Sequence, residues 1–241
     1  MKIAVEIILV MIILLCVWSG YKKGLVMCIG TILAIIISLY MGDLLSNTFS
    51  QEVAPVIRPF ASGYMDGSEG VIGKNLNELI GGSDIQLSVE DSLERNPEIK
   101  FVLAENSFKD MGIYEESAKR MANDAVALTE KTGITLSNAI VDIFCSNVTY
   151  YLCFILFFVL ILIIFTVLGN IFNLSFKIPE KDKLNDIGGI VAGALTGLFF
   201  CVIVVWSFKF LGKLLPEEEM KNMFISSMFM KLDLLSHFLP L

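Results

Sequence analysis

The sequence predicts an all-α membrane protein with four transmembrane helices in two hairpins, an extracytoplasmic helical insert between the hairpins, and an amphipathic C-terminal helix. Three observations carry this expectation. Of 241 residues, 55% are apolar and the mean hydropathy is +0.73, whereas soluble domains are about 45–50% apolar. The excess is gathered into four blocks, each near or above the roughly 20 residues that cover a bilayer core. These blocks fall into two pairs, each joined by a short segment carrying lysines.

The first block, IAVEIILVMIILLCVWSG at 3–20, is joined to the second, GLVMCIGTILAIIISLYMG at 24–42, by YKK alone. Together they form a first transmembrane hairpin, 1–46. A cleaved signal peptide is not expected. Only Lys2 precedes the first block, its apolar stretch exceeds the about 7–15 residues of a signal, and no small-x-small cleavage site follows.

Residues 47–147 form the polar insert, which holds most of the acid behind the net charge of −7. It reads as short helices with breaks. Pro55 and Pro59 interrupt 53–64, and 74–82 ends on Gly81–Gly82, a common stop. A capping pattern opens 88–95 with Ser88 and Asp91, and Asn96–Pro97 closes it. The best helix covers 114–131, where Tyr114, Ala118, Met121, Ala125 and Leu128 form one apolar stripe. A second amphipathic stretch, 137–147, runs into the third block. These stripes read as packing within the insert or against a membrane surface, in preference to partner docking.

The second hairpin, 148–214, holds VTYYLCFILFFVLILIIFTVLGNIF at 148–172 and IGGIVAGALTGLFFCVIVVWSFKFLG at 187–212, joined by 173–186. In the tail, 215–241, Pro216 and three glutamates suit a helix start. Met220, Met223, Phe224, Met228, Leu232 and Leu235 then form one apolar face of an interfacial helix. Lys22 and Lys23 mark one short loop, and Lys177, Lys181 and Lys183 mark the other. The positive-inside rule places both loops in the cytoplasm, and both termini and the insert outside. Lys209, Lys213 and Lys221 near the fourth block argue the other way.

The fourth block opens with GGIVAGALTG, where Gly189, Gly193 and Gly197 recur every four residues. In a soluble helix each interior glycine costs about 0.5–1 kcal/mol relative to alanine. In lipid, small residues at this spacing let a neighbouring helix approach closely. The ridge is therefore a helix-packing face. Packing inside the chain's own bundle is the preferred reading, ahead of a homodimer contact.

Glu6 is the one acid set inside a block, one turn into the first. Intramembrane acids are functional suspects, but no cation lies deep in another block, and a position near the headgroups is the preferred reading. Catalytic residues are not expected. The single histidine, His237, lies near the end of the chain, and there is no phosphate loop, no H-E-x-x-H and no Cys/His cluster. The five cysteines, 16, 28, 145, 153 and 201, read as small apolar residues. No cofactor or metal is expected, and the acidic balance argues against nucleic acid.

Two stretches together resemble the colicin V production protein (CvpA) family. The opening EIILVMIILLCVWSGYKKGLV has that family's apolar helix with an early acid, here Glu6 in place of Asp. Its turn follows as Gly20, Tyr21, Lys22, Lys23 and Gly24. The second stretch, LNDIGGIVAGALTGLFF at 184–200, matches the family glycines at 189, 193 and 197. It carries Asn185 for Asp, Asp186 for Arg and Thr196 for a basic residue. The closing SHFLPL is also similar. The resemblance implies a multi-pass bacterial plasma-membrane protein with four spans. It also implies a non-enzymatic role in toxin (bacteriocin) production or export and in envelope homeostasis. The partners expected are the bilayer and a second copy or another membrane or envelope protein. The alternative is a small oligomeric channel or transporter.

Overall fold

The computed structural model describes residues 2–67, 69–81, 89–171, 182–232 and 235. Among them there is no strand. The helices are α1 (Lys2–Met65), α2 (Val71–Ile80), α3 (Val89–Arg95), α4 (Lys100–Asp110), α5 (Glu115–Thr132), α6 (Leu136–Ile171), α7 (Asp182–Ser207), α8 (Glu217–Lys221) and α9 (Phe224–Leu232). Three of them, α1, α6 and α7, are long and apolar enough to cross a membrane. The first two expected spans both lie in α1. Its backbone leaves the helical region only at Gly24, so no loop of YKK separates them. Lys177, Lys181, Ser88, His237 and the closing SHFLPL lie outside the described residues.

The chain divides into two compact units. One comprises Met1–Asn47, Leu152–Phe208 and Glu218–Pro240, and the other Thr48–Tyr151 and Lys209–Glu217. The first unit has the surface of a protein in lipid. Large aliphatic side chains of α7, including Leu184, Ile187, Val191 and Leu195, point outward. Gly189, Ala192, Gly193, Thr196 and Gly197 point inward. Three hydroxyls within the apolar stretches are satisfied by their own helix: Thr31 donates to the Met27 carbonyl, Thr166 to Leu162 and Thr196 to Ala192. Bonding of this kind is the inexpensive solution where no water is at hand, whereas the hydroxyls of Ser38 and Thr149 are buried without a partner among the described residues. Ile35, Phe158 and Ile203 form a buried cluster here, flanked by Leu39 and Leu162. Phe154 meets Trp206 edge-on at 5.3 Å.

The second unit has an ordinary water-type core. On α4, Leu103, Ala104 and Phe108 are fully buried, and on α5 so are Ala118, Ala122 and Ala125. The alanines let α4 and α5 lie close together, and α2 covers α4 from another side. Ala61 and Met65 of α1, and Ala139, Ile140 and Val141 of α6, complete the core. Helix α4 is absent from the sequence expectation, because KFVLAENSFKD mixes charges through its apolar positions and shows little periodicity.

The break expected at Pro55 and Pro59 is not there, since both lie inside α1. Each proline removes a donor to the carbonyl four residues back. Those carbonyls belong to Gln51 and Pro55, and both residues are exposed, so solvent can satisfy them and the helix continues.

Residues 209–217 join the second unit through main-chain bonds. Tyr114 N–H donates to the Lys209 carbonyl at 3.0 Å, and Gly212 N–H to the Gly112 carbonyl at 2.8 Å. The Tyr114 hydroxyl donates to the Leu215 carbonyl at 2.8 Å, and burial, assisted by the Glu217 carboxylate, pushes that hydroxyl above the ordinary phenol range. Tyr114→Phe removes this bond and should cost about 1 kcal/mol, read as a lower unfolding midpoint of the full chain with unchanged helix content.

Candidate functional site

The site is the place where the Gly20–Gly24 segment of α1 meets the glycine ridge of α7. Gly189, Gly193 and Gly197 lie along the inward face of α7 because a four-residue spacing advances little more than one helical turn. Opposite them run Ile13, Cys16, Gly20 and Gly24. A methyl added at Gly193 would stand 2.5 Å from the Cys16 carbonyl oxygen and 3.1 Å from the Gly20 Cα. At Gly197 it would stand 2.9 Å from the Ile13 Cα, and at Gly20 2.9 Å from the Gly193 Cα. The two backbones touch, so a side chain anywhere on this strip must push them apart. The ridge therefore packs inside the chain's own first unit.

At the end of the strip, Gly24 has φ 79° and ψ 171°, a conformation essentially reserved for glycine. It cuts the ladder of α1, so the next amide, that of Leu25, has no helical acceptor. The Leu25 N–H instead donates to Asn185 Oδ1 at 3.2 Å, and Asn185 is only 1% exposed. One buried carboxamide at the start of α7 thus caps the restart of α1 from across the packing face. Sequence reasoning treated Asn185 only as a departure from the family pattern. Its value as a neutral acceptor appears once Gly24 is seen to orphan the Leu25 amide.

Lys22 and Lys23 are exposed, and the Lys22 ammonium sits 4.0 Å from the Trp18 ring centroid. Both residue types belong at a headgroup level.

Glu6 finds a partner no charge pattern could supply. Its Oε1 accepts the Ile225 N–H at 3.0 Å, an amide in the first turn of α9, where orphan donors and the helix dipole favour an acid. The expected single apolar face of the tail is split. Met220 and Met223 are buried, whereas Phe224 and Met228 are exposed, and α9 packs on α7. Glu6→Ala should raise hydrogen exchange at the Ile225 amide about fivefold, the equivalent of a lost cap near 1 kcal/mol. Glu6→Gln, which keeps an acceptor, should change it far less.

The cysteines are all unpaired by disulfide. Cys28, Cys145, Cys153 and Cys201 are buried, and the Cys201 Sγ lies 3.5 Å from the Leu9 carbonyl oxygen. Among the described residues no three His, Cys, Asp or Glu side chains are grouped to hold a metal. The junction can therefore hold helices together and set the point where α1 breaks. Comparison with family models, with curated proteins and with solved structures finds no match to this chain.

Proposed function

We propose that the chain is a non-enzymatic accessory protein of the bacterial plasma membrane, of the colicin V production type. In this reading it supports bacteriocin production or export and envelope homeostasis through helix packing and partner contacts. One observation carries the proposal. The two stretches that resemble the family, some 160 positions apart, lie against each other: Gly20 on Gly189 and Gly193, and Gly24–Leu25 on Asn185.

In this reading α1 crosses the bilayer twice, reversing at Gly24, and α6 and α7 supply two further spans. Cys201 touches Leu9, while Ile203, on the next part of the same turn, clusters with Ile35. The stretches of α1 before and after Gly24 therefore flank one level of α7, as a hairpin requires. The segments this leaves in the first unit, such as Leu152 to the end of α6, are each about 20 residues or slightly more, matching a bilayer core. The alternative of a channel lined by the glycine ridge and Glu6 has less support, since both are engaged within the chain.

Deletion of the gene in its own bacterium is the test, with secreted peptide toxin and survival under envelope stress as the two readouts. A drop in either that is restored by the intact chain, and not by the Gly193→Leu variant, supports the proposal. No change in both removes it.

A further inference from the structure

A groove of about 460 Å³ lies in the first unit between α1 and the end of α6. Its α1 wall runs from Val26 to Ile37, and its α6 wall from Phe165 to Gly169. Small residues hollow it out. A methyl built on Gly30 would meet nothing within 4 Å, and Ala34 and Gly169 are the other small contributors. The only hydroxyls on the wall, those of Thr31 and Thr166, donate to carbonyls of their own helices. The lining therefore offers a polar ligand nothing and an alkyl chain a continuous surface. From Val26 to Ile37 the wall extends about 16 Å at the helical rise, close to the about 15 Å of one leaflet of a bilayer core.

Charge distinguishes one end of the groove. In α1 the only ionisable acids or bases between Glu6 and Asp43, apart from thiols and phenols, are Lys22 and Lys23, and α6 carries no charged residue after Asp142. Both lysines are exposed and lie three and four residues before Val26, the lining residue nearest them in the chain, and the Lys22 ammonium rests 4.0 Å from the Trp18 ring centroid. Asp182, Lys183 and Asp186 are at the same end of the unit but on α7, which contributes nothing to the groove.

We propose that this groove binds one acyl chain of an anionic phospholipid, whose phosphate is held by Lys22 and Lys23. The site rests on the membrane-embedded reading of α1 and α6 and not on any role in toxin export, so the two stand or fall separately.

The test uses the full chain reconstituted in vesicles of equal phosphatidylglycerol and phosphatidylcholine with matched acyl chains, followed by native mass spectrometry of the retained lipid. The intact chain should retain phosphatidylglycerol over phosphatidylcholine by about thirtyfold, the scale of two surface lysines facing an anionic headgroup at about 1 kcal/mol each. Lys22→Gln/Lys23→Gln should bring the ratio to about one. Gly30→Phe, which fills space without meeting another atom at its Cβ, should reduce retention of both lipids. Soluble glycerol phosphate should displace none. Equal retention by the intact chain, selectivity that survives removal of both lysines, undiminished retention in Gly30→Phe, or displacement by glycerol phosphate would each overturn the proposal. The intact-chain ratio needs no variant to fold.

Discussion

Gly193→Leu should unfold the first unit in mild detergent far more easily than the intact chain, by about 3 kcal/mol or more. Overpacking a core by a few methylenes already costs about 1–3 kcal/mol where side chains can shift. Here the first added carbon meets the Cys16 carbonyl oxygen and the Gly20 Cα, backbone atoms that can yield only if α1 and α7 separate. Separation also withdraws Asn185 from Leu25. Denaturant unfolding followed by near-ultraviolet circular dichroism reads the loss, because Trp206 packs against Phe154 within the same unit. The control is Gly63→Ala, also in α1, where the added methyl meets nothing. It should be neutral, or stabilise by up to about 1 kcal/mol through better helix propensity. If both variants behaved alike, backbone contact along the ridge would carry no stability.

Asn185→Leu should cost about 1–3 kcal/mol, the range for a buried donor left without its acceptor. Leucine has nearly the same shape, so the loss would come from the Leu25 amide rather than from a cavity. Gly24→Ala should cost at least as much for a different reason. Its backbone conformation excludes a side chain, and its methyl would stand 2.6 Å from the Asn185 Nδ2. Because the two sites touch, their effects should not add. Once the break at Gly24 is distorted, there is less of a cap left to lose at Asn185. A double-mutant cycle on detergent unfolding measures this, and strict additivity would show that the carboxamide and the break are unrelated.

How much of this was legible in the residues depends on the range of the physics involved. Hydropathy blocks mark the apolar helices because lipid contact is a local property of each side chain. Glycine spacing marked the inward face of α7 for the same reason: period and size are properties of one helix. The helix at 115–132 and its Tyr114, Ala118, Met121 and Ala125 stripe follow from period alone. Other features were hidden. Pro55 and Pro59 are helix breakers by rule, and only their exposed placement on α1 made them tolerable. Helix α4 has weak periodicity, and its Leu103 and Phe108 are recognisable as core only beside the alanines of α5. Glu6 lacked a charged partner in the sequence because its partner is a main-chain amide, which no side-chain pattern reports.

Composition alone determined where the membrane-grade apolar segments lie, two within α1 and one each in α6 and α7, since burying or exposing a residue to lipid depends on that residue. The tertiary structure alone decided which backbone lies against the glycine ridge and that Asn185 serves the Leu25 amide. It also decided that Glu6 meets the first turn of α9 and that residues 209–217 bond to Gly112 and Tyr114. Each of these joins groups roughly a hundred or more positions apart, with main-chain atoms on at least one side. Every residue carries such groups in the same form, so their pairing is written only in where the folded chain brings them together.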